Sequence, residues 1–181
     1  MTIALRPASV HDARTLGHLS VAAWRQAYRG LVPEALLDSL STEERTEGFE
    51  EFLAAAGQTG RRGWLAHIAH APVGFVLCGP ARDLPDRSSS GEIFALYVLR
   101  AYWGTGAAQE LIRQAMLHLE AFGCPQVVLW VLEANARARR FYEREGFSPD
   151  GFRKVDSLAG QALDEIRYCH RFAAALSSQG G

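Results

Sequence analysis

Lysine is almost missing from this 181-residue chain: Lys154 is the only one, and arginine carries nearly all the positive charge. That bias reads as genome composition before it reads as a set of planar anion-binding forks. An excess of charge of either sign is missing as well. With a formal net charge of -1, nothing global favours nucleic acid or an anionic membrane as partner. No apolar run approaches the ~18–20 residues that span a bilayer, and Met1 to Arg6 lacks the charged-then-apolar pattern of an export signal. Cysteine is scarce and scattered. Cys78, Cys124 and Cys169 never form a C-x-x-C pair, which excludes a disulfide framework and fits a reducing compartment. Each lies in or beside an apolar stretch, where an inert buried thiol is expected. A cytoplasmic protein follows from these absences. Metal is not expected either, since His67 and His70, the closest histidines, are three apart on a strand and face opposite ways.

What is present is the apolar and charged composition of an ordinary globular protein. The length fits one domain over residues 1–175, with 176–181 as a flexible tail. Ile3 to Arg6 reads as a strand ended by Pro7. A helix with two apolar stripes follows: Ala13, Leu16, Leu19 and Ala23, then Val21, Trp24 and Tyr28. Pro33 opens another helix, and Ser41-Thr42-Glu43-Glu44 caps a third, with Phe49, Phe52 and Leu53 inward. Trp64 to Ala69 and Val73 to Cys78 form a hairpin about Ala71-Pro72. Pro80 to Gly91 is a polar loop, and Glu92 to Leu99 is the next strand.

Ala108, Leu111, Ile112, Ala115, Met116 and Leu119 then recur at helical spacing, up to Gly123 and Pro125. Val127 to Leu132 is a strand apolar on both faces. A helix over Asn135 to Glu145 precedes two closing strands, Phe147 to Val155 and Ala162 to Phe172, joined at Ser157 to Gly160. The order predicts an α/β (α+β) fold: a mixed, largely antiparallel twisted sheet of about six to seven strands flanked by helices.

The strand from Glu92, the turn Trp103-Gly104-Thr105-Gly106-Ala107-Ala108 and the helix after it form an anion site. Glycines let backbone approach a ligand, and the first N–H groups of a helix lack internal partners. The helix dipole adds attraction for phosphate. A dinucleotide fingerprint would need glycine where Gln109 stands, and a Walker loop would need a lysine after its last glycine. Both argue against a nucleotide-binding domain. A helix start that only needs tight packing stays open as the plain alternative.

The turn resembles the [Q/R]-x-x-G-x-[G/A] acyl-CoA loop of the GNAT family of N-acetyltransferases, with Trp103 where Gln or Arg is usual. Leu129 to Phe147 is similar to that family's strand-then-helix signature and matches its N-x-x-A-x-x-F-Y-x-x-x-G-F core at every named position. Leu5-Arg6-Pro7-Ala8 and Asp12-Ala13 resemble the family's opening strand and helix, so the likeness covers essentially the whole chain.

The resemblance implies transfer of an acetyl group from acetyl-CoA to a primary amine of a small molecule or an exposed amino group. A non-catalytic CoA-binding module is the alternative. It further implies that backbone amides of Trp103, Gly104, Thr105, Gly106, Ala107 and Ala108 meet the pyrophosphate, and that Val98 and Leu99 pair with the pantetheine arm. Asn135 would hydrogen-bond that arm, beside its plain role as a helix N-cap. Tyr142 would protonate the departing thiolate; a core tyrosine is the plain reading. Glu92 reads either as a solvated residue at the strand start or as a general base in apolar surroundings, with a bulge able to change its facing. Trp24 and Tyr28 would shape the acceptor pocket, or simply pack. Arg137, Arg139 and Arg140 read as a solvated basic face. No acyl-enzyme is expected, because no G-x-S-x-G nucleophile is present, and a homodimer fits similar proteins.

Overall fold

The computed structural model describes residues 2–57, 59–81 and 90–173; most of the expected loop, 82–89, and the tail, 176–181, lie outside the described residues. Strands β1 (Ile3–Pro7), β2 (Arg62–Ile68), β3 (Ala71–Pro80), β4 (Ser90–Val98), β5 (Gln126–Leu132), β6 (Ser148–Leu158) and β7 (Gln161–Arg171) make one seven-stranded sheet. Its order is β1-β2-β3-β4-β5-β7-β6, antiparallel throughout except for the parallel pair β4 and β5. The expected mixed sheet is therefore present.

Helices cover both faces. On one, α4 (Ala107–Ala121) lays Leu111, Ile112, Ala115 and Leu119 against Val76, Cys78, Ile93, Val127 and Leu129. Burying each Leu or Ile there contributes roughly 1.5–3 kcal/mol. The short helix α5 (Ala136–Arg144) joins this layer through Ala138, Phe141 and Tyr142. On the other face, α1 (Ala13–Ala27) and α3 (Thr42–Ala54) pack Leu16, Leu19 and Leu53 on Leu65, Phe75 and Leu77. With α2 (Glu34–Asp38), α1 also covers the β5 and β7 end through Trp24, Leu36, Leu37, Leu132 and Leu163. A bidentate pair ties the start of α1 to β1: Arg6 donates to both carboxylate oxygens of Asp12, at 2.6 and 2.9 Å. That bond from Arg6 holds the Asp12 carboxyl well below the usual range, against the opposing effect of its burial.

The first hairpin turn differs from expectation, and the second lies within the expected Ser157 to Gly160. Ile68 pairs with Ala71, so the first turn is Ala69-His70, and Ala71-Pro72 already belongs to β3. Both turn residues have positive φ, 48° and 69°, as a two-residue turn matching strand twist demands. Neither residue is of a type that signals such a turn. Pro72 is tolerated inside β3 because the register slips beside it, between Ala66 and His67. The second turn is Ala159-Gly160, φ 48° and 75°.

Strand β4 starts at Ser90, two residues ahead of the expected boundary, and Pro80 pairs with Gly91. Its pairing with β5 runs only from Ser90↔Gln126 to Ile93↔Leu129. Beyond that point β4 continues to Val98 and β5 to Leu132 without bonding to each other, although each keeps its other neighbour. The split coincides with a bulge: Leu77 pairs with Ala95 and Cys78 with Ile93, which leaves Phe94 as an extra residue. A bulge bends and twists its strand. The sheet thus opens in its middle.

Candidate active site

A cavity of about 320 Å3 fills the opening. Its walls come from separate elements: Trp24 and Tyr28 of α1, Glu92 to Val98 of β4, Trp130 to Leu132 of β5, Tyr142 of α5, and Lys154 and Glu165 of the β6–β7 hairpin. A second, smaller cavity of about 170 Å3 lies between the glycine turn and α5, bounded by Leu96, Val98, Trp103, Gly104, Ala108, Arg137 and Tyr142. Leu96, Val98, Arg137, Ala138 and Tyr142 border both. An extended ligand lying along the turn would enter the larger cavity past Tyr142.

The turn has the form of an anion cradle. Gly104 and Gly106 have φ of 78° and 94°, a conformation costly for residues with a side chain. A Cβ at Gly104 would meet nothing within 4 Å, and one at Gly106 only Ile3 Cδ1 at 3.5 Å. The glycines therefore serve the backbone conformation, and the alternative of a helix start that only needs close packing is set aside. Some of the amides from Trp103 to Ala108 are already bonded within the turn. Trp103 N–H donates to Arg100 O at 3.1 Å and Thr105 N–H to Tyr102 O at 3.4 Å, so the turn closes on itself. Ala107 N–H leans on Thr105 Oγ1 at 3.4 Å. The N–H groups of Gly104, Gly106 and Ala108 take no acceptor among the described residues.

The backbone groups of Val98 and Leu99 face opposite ways. Leu99 N–H donates to Val73 O at 2.9 Å and its carbonyl accepts from Tyr102, so Leu99 faces β3. Val98 faces the split, as alternation along a strand requires, but its carbonyl accepts the indole Nε1–H of Trp103 at 2.8 Å. The Arg137 guanidinium carbon stands 3.2 Å from the centre of the same indole ring, a cation–π stack. Arg139 donates to Tyr168 Oη and Glu133 O, both at 3.2 Å. Both guanidinium groups therefore have partners, while Arg137 and Arg140 are exposed and Arg139 is half-buried, as a basic face requires.

Asn135 is 7% exposed and caps α5, its Oδ1 accepting the Ala138 N–H at 3.1 Å. Tyr28 is pushed well above the usual phenol range by burial, with the Asn135 side chain bonding to it and pulling the other way. Burial likewise raises Tyr142, aided by nearby Tyr97 and opposed by Arg137. Its phenol stays protonated at any physiological pH. Trp24 is buried and donates its Nε1–H to Tyr97 Oη at 2.9 Å, and its ring lies 4.4 Å from that of Tyr28. Both aromatic residues pack and line the cavity at once.

Glu92 is 1% exposed, which overturns the reading of a solvated strand start. Because β4 begins earlier, Glu92 sits between Gly79 of β3 and Val128 of β5. It lines the cavity. The bulge at Phe94 also breaks the expected alternation: Leu96 and Val98 pack on the α4 side with Ile93. Sequence reasoning passed over Tyr97, Trp130, Lys154 and Glu165, all in the cavity wall. A bulky polar-edged Trp130 inside an apolar strand, and a solitary lysine, were the available signals. Among the described residues, no three His, Cys, Asp or Glu side chains are grouped to hold a metal ion. Burial raises the thiols of Cys78, to about 12, and of Cys124 and Cys169, which keeps them protonated.

The sequence profile of the acetyltransferase (GNAT) family matches residues 20–147. The chain belongs to that family. Membership makes it an acetyl-CoA-dependent acetyltransferase. This GNAT chain is 29% identical over 151 residues to a probable N-acetyltransferase of Mycobacterium tuberculosis, covering 82% of each protein. In fold it is similar to PaiA N-acetyltransferase from Thermoplasma acidophilum, solved with coenzyme A, at 20% identity and a TM-score of 0.74 over 95% of this chain and 100% of that one. A second similar structure is YncA of Salmonella typhimurium with acetyl-CoA, at 18% identity and a TM-score of 0.71, covering 98% and 99%. No helix among the described residues of this GNAT acetyltransferase is long and apolar enough to cross a membrane.

Proposed function

We propose that the chain transfers an acetyl group from acetyl-CoA directly to a primary amine, carried by a small molecule or an exposed amino group. The observation that carries this reading is Tyr142 at the junction of the two cavities, one running to the glycine turn and the other to the acceptor wall. The free N–H groups of Gly104, Gly106 and Ala108 at the start of α4 would hold the pyrophosphate, which favours a helix N-terminus. The thioester would then lie beside the Tyr142 hydroxyl, in the split between β4 and β5. Asn135 keeps its cap and lines the same cavity.

In this reading a neutral amine attacks the thioester carbon, and the sulfur leaves with the bonding pair. The Tyr142 phenol, kept protonated by its burial, donates a hydrogen bond to that sulfur as charge develops. Glu92 receives the proton that the amine must lose. Trp24, Tyr28 and Tyr97 present flat apolar surface to the acceptor. Holding amine and thioester together in a closed site supplies much of the rate.

Calorimetry with acetyl-CoA and a screen of amines for thiol release test the proposal. Micromolar binding and amine-dependent release of free thiol are expected. Binding without release for any amine class would favour a CoA-binding module, and no binding would remove both readings.

A further inference from the structure

The only lysine of the chain stands in the wall of the cavity that the acceptor amine must enter. Lys154 lies on β6 opposite Glu165 of β7. Its Nζ is 3.4 Å from Glu165 Oε2 and 4.4 Å from the centre of the Trp130 ring. A carboxylate and an indole face are what recognise an ammonium group. The side chain is 31% exposed, so it is held but remains reachable. Trp130, Glu165, Glu92 and Tyr142 all border the same cavity. The other cations of that wall, Arg45 and Arg137, have guanidinium groups that do not deprotonate and so are not nucleophiles.

We propose that Lys154 is itself an acceptor, and that the chain with acetyl-CoA bound acetylates its own Lys154 Nζ. This rests on the acetyl-transfer reading. The Lys154 ammonium gives one proton to Glu165 or to water, and the freed lone pair attacks the thioester carbon. The new N–C bond forms as the C–S bond breaks. The electron pair leaves on sulfur, which is protonated to the thiol of coenzyme A, and the second amine proton passes to solvent. Lys154 ends as a neutral amide. Its ion pair with Glu165 and its attraction to Trp130 are lost together.

The test is incubation of the full chain with acetyl-CoA, followed by intact-mass measurement and peptide mapping, with acetyl-CoA binding measured in parallel. The expected result is an increment of about 42 Da on the Lys154 peptide, at a rate per chain that does not change with protein concentration. Lys154→Arg removes the increment, and Tyr142→Phe slows its appearance. Binding of acetyl-CoA without the increment would overturn this inference alone. So would an increment that grows equally fast in the urea-unfolded chain, or in proportion to protein concentration. Failure to bind acetyl-CoA would overturn the acetyl-transfer reading and this inference with it.

Discussion

The two sides of the split sheet are built by opposite means. The turn side is contiguous backbone: Gly104 and Gly106 at positive φ, then the first N–H groups of α4. The other side, where the acceptor is proposed to bind, is side chains collected from α1, β4, β5, β6 and β7. A site made of backbone depends on conformation, and so it tolerates Trp103 where the family usually has Gln or Arg. A site made of converging side chains depends on every element that delivers one. Substitutions should therefore divide cleanly: those on the turn should act on acetyl-CoA affinity, those on the wall on turnover and acceptor choice.

Tyr142 belongs to the border, and its substitution should have the largest effect. Tyr142→Phe removes only an oxygen, and turnover is expected to fall about 10^2–10^3-fold. Calorimetric affinity for acetyl-CoA should change by less than about threefold, since no more than one hydrogen bond is lost. Equal losses in affinity and turnover would erase the division at this position. Next, Glu92→Gln keeps the buried shape but cannot take a proton. A drop of about tenfold to a hundredfold in kcat/KM is expected. An unchanged kcat/KM would remove Glu92 as the base. On the turn, Gly106→Val places a β-branched residue at φ 94°. The conformational cost of about 1–2 kcal/mol per residue predicts roughly tenfold weaker acetyl-CoA binding if the cradle yields, with little change in turnover at saturating acetyl-CoA.

The same contrast explains what the sequence disclosed. Periodicity located α1, α3, α4 and the strands, because each is a local pattern of apolar residues, and the glycine turn was legible because its requirement is also local. The first hairpin turn was misplaced, since Ala69-His70 carries none of the residues that announce positive φ; the pairing of β2 with β3 imposes it. Glu92 remained ambiguous for a related reason. Its burial depends on β4 starting at Ser90 and on cover from β3 and β5, and the bulge at Phe94 follows from registry with Leu77 and Cys78. Lys154 and Glu165 reach the cavity only because the β6–β7 hairpin folds beside β5. No spacing within the chain encodes that meeting. Asn135 shows a residue whose plain role as a helix cap was readable and whose bond is made.

The smallest expected effect concerns Trp103, where the two sides touch. Its indole Nε1–H occupies the Val98 carbonyl at 2.8 Å, at the end of β4 beside the split. A ligand amide pairing there competes with that donor for the carbonyl, so the bond favours the empty site. The net worth of such a hydrogen bond is about 0.5–1.5 kcal/mol. Trp103→Phe keeps a ring for Arg137 to stack on, at 3.2 Å in the present structure, and removes only the competing donor. Acetyl-CoA should then bind about twofold to tenfold more tightly by calorimetry, and Trp103→Ala, which also frees Arg137, should not reproduce the gain. Weaker binding by Trp103→Phe would mean that the indole N–H contacts the cofactor. In that case the turn side also relies on a side chain, and its difference from the acceptor wall would be one of degree.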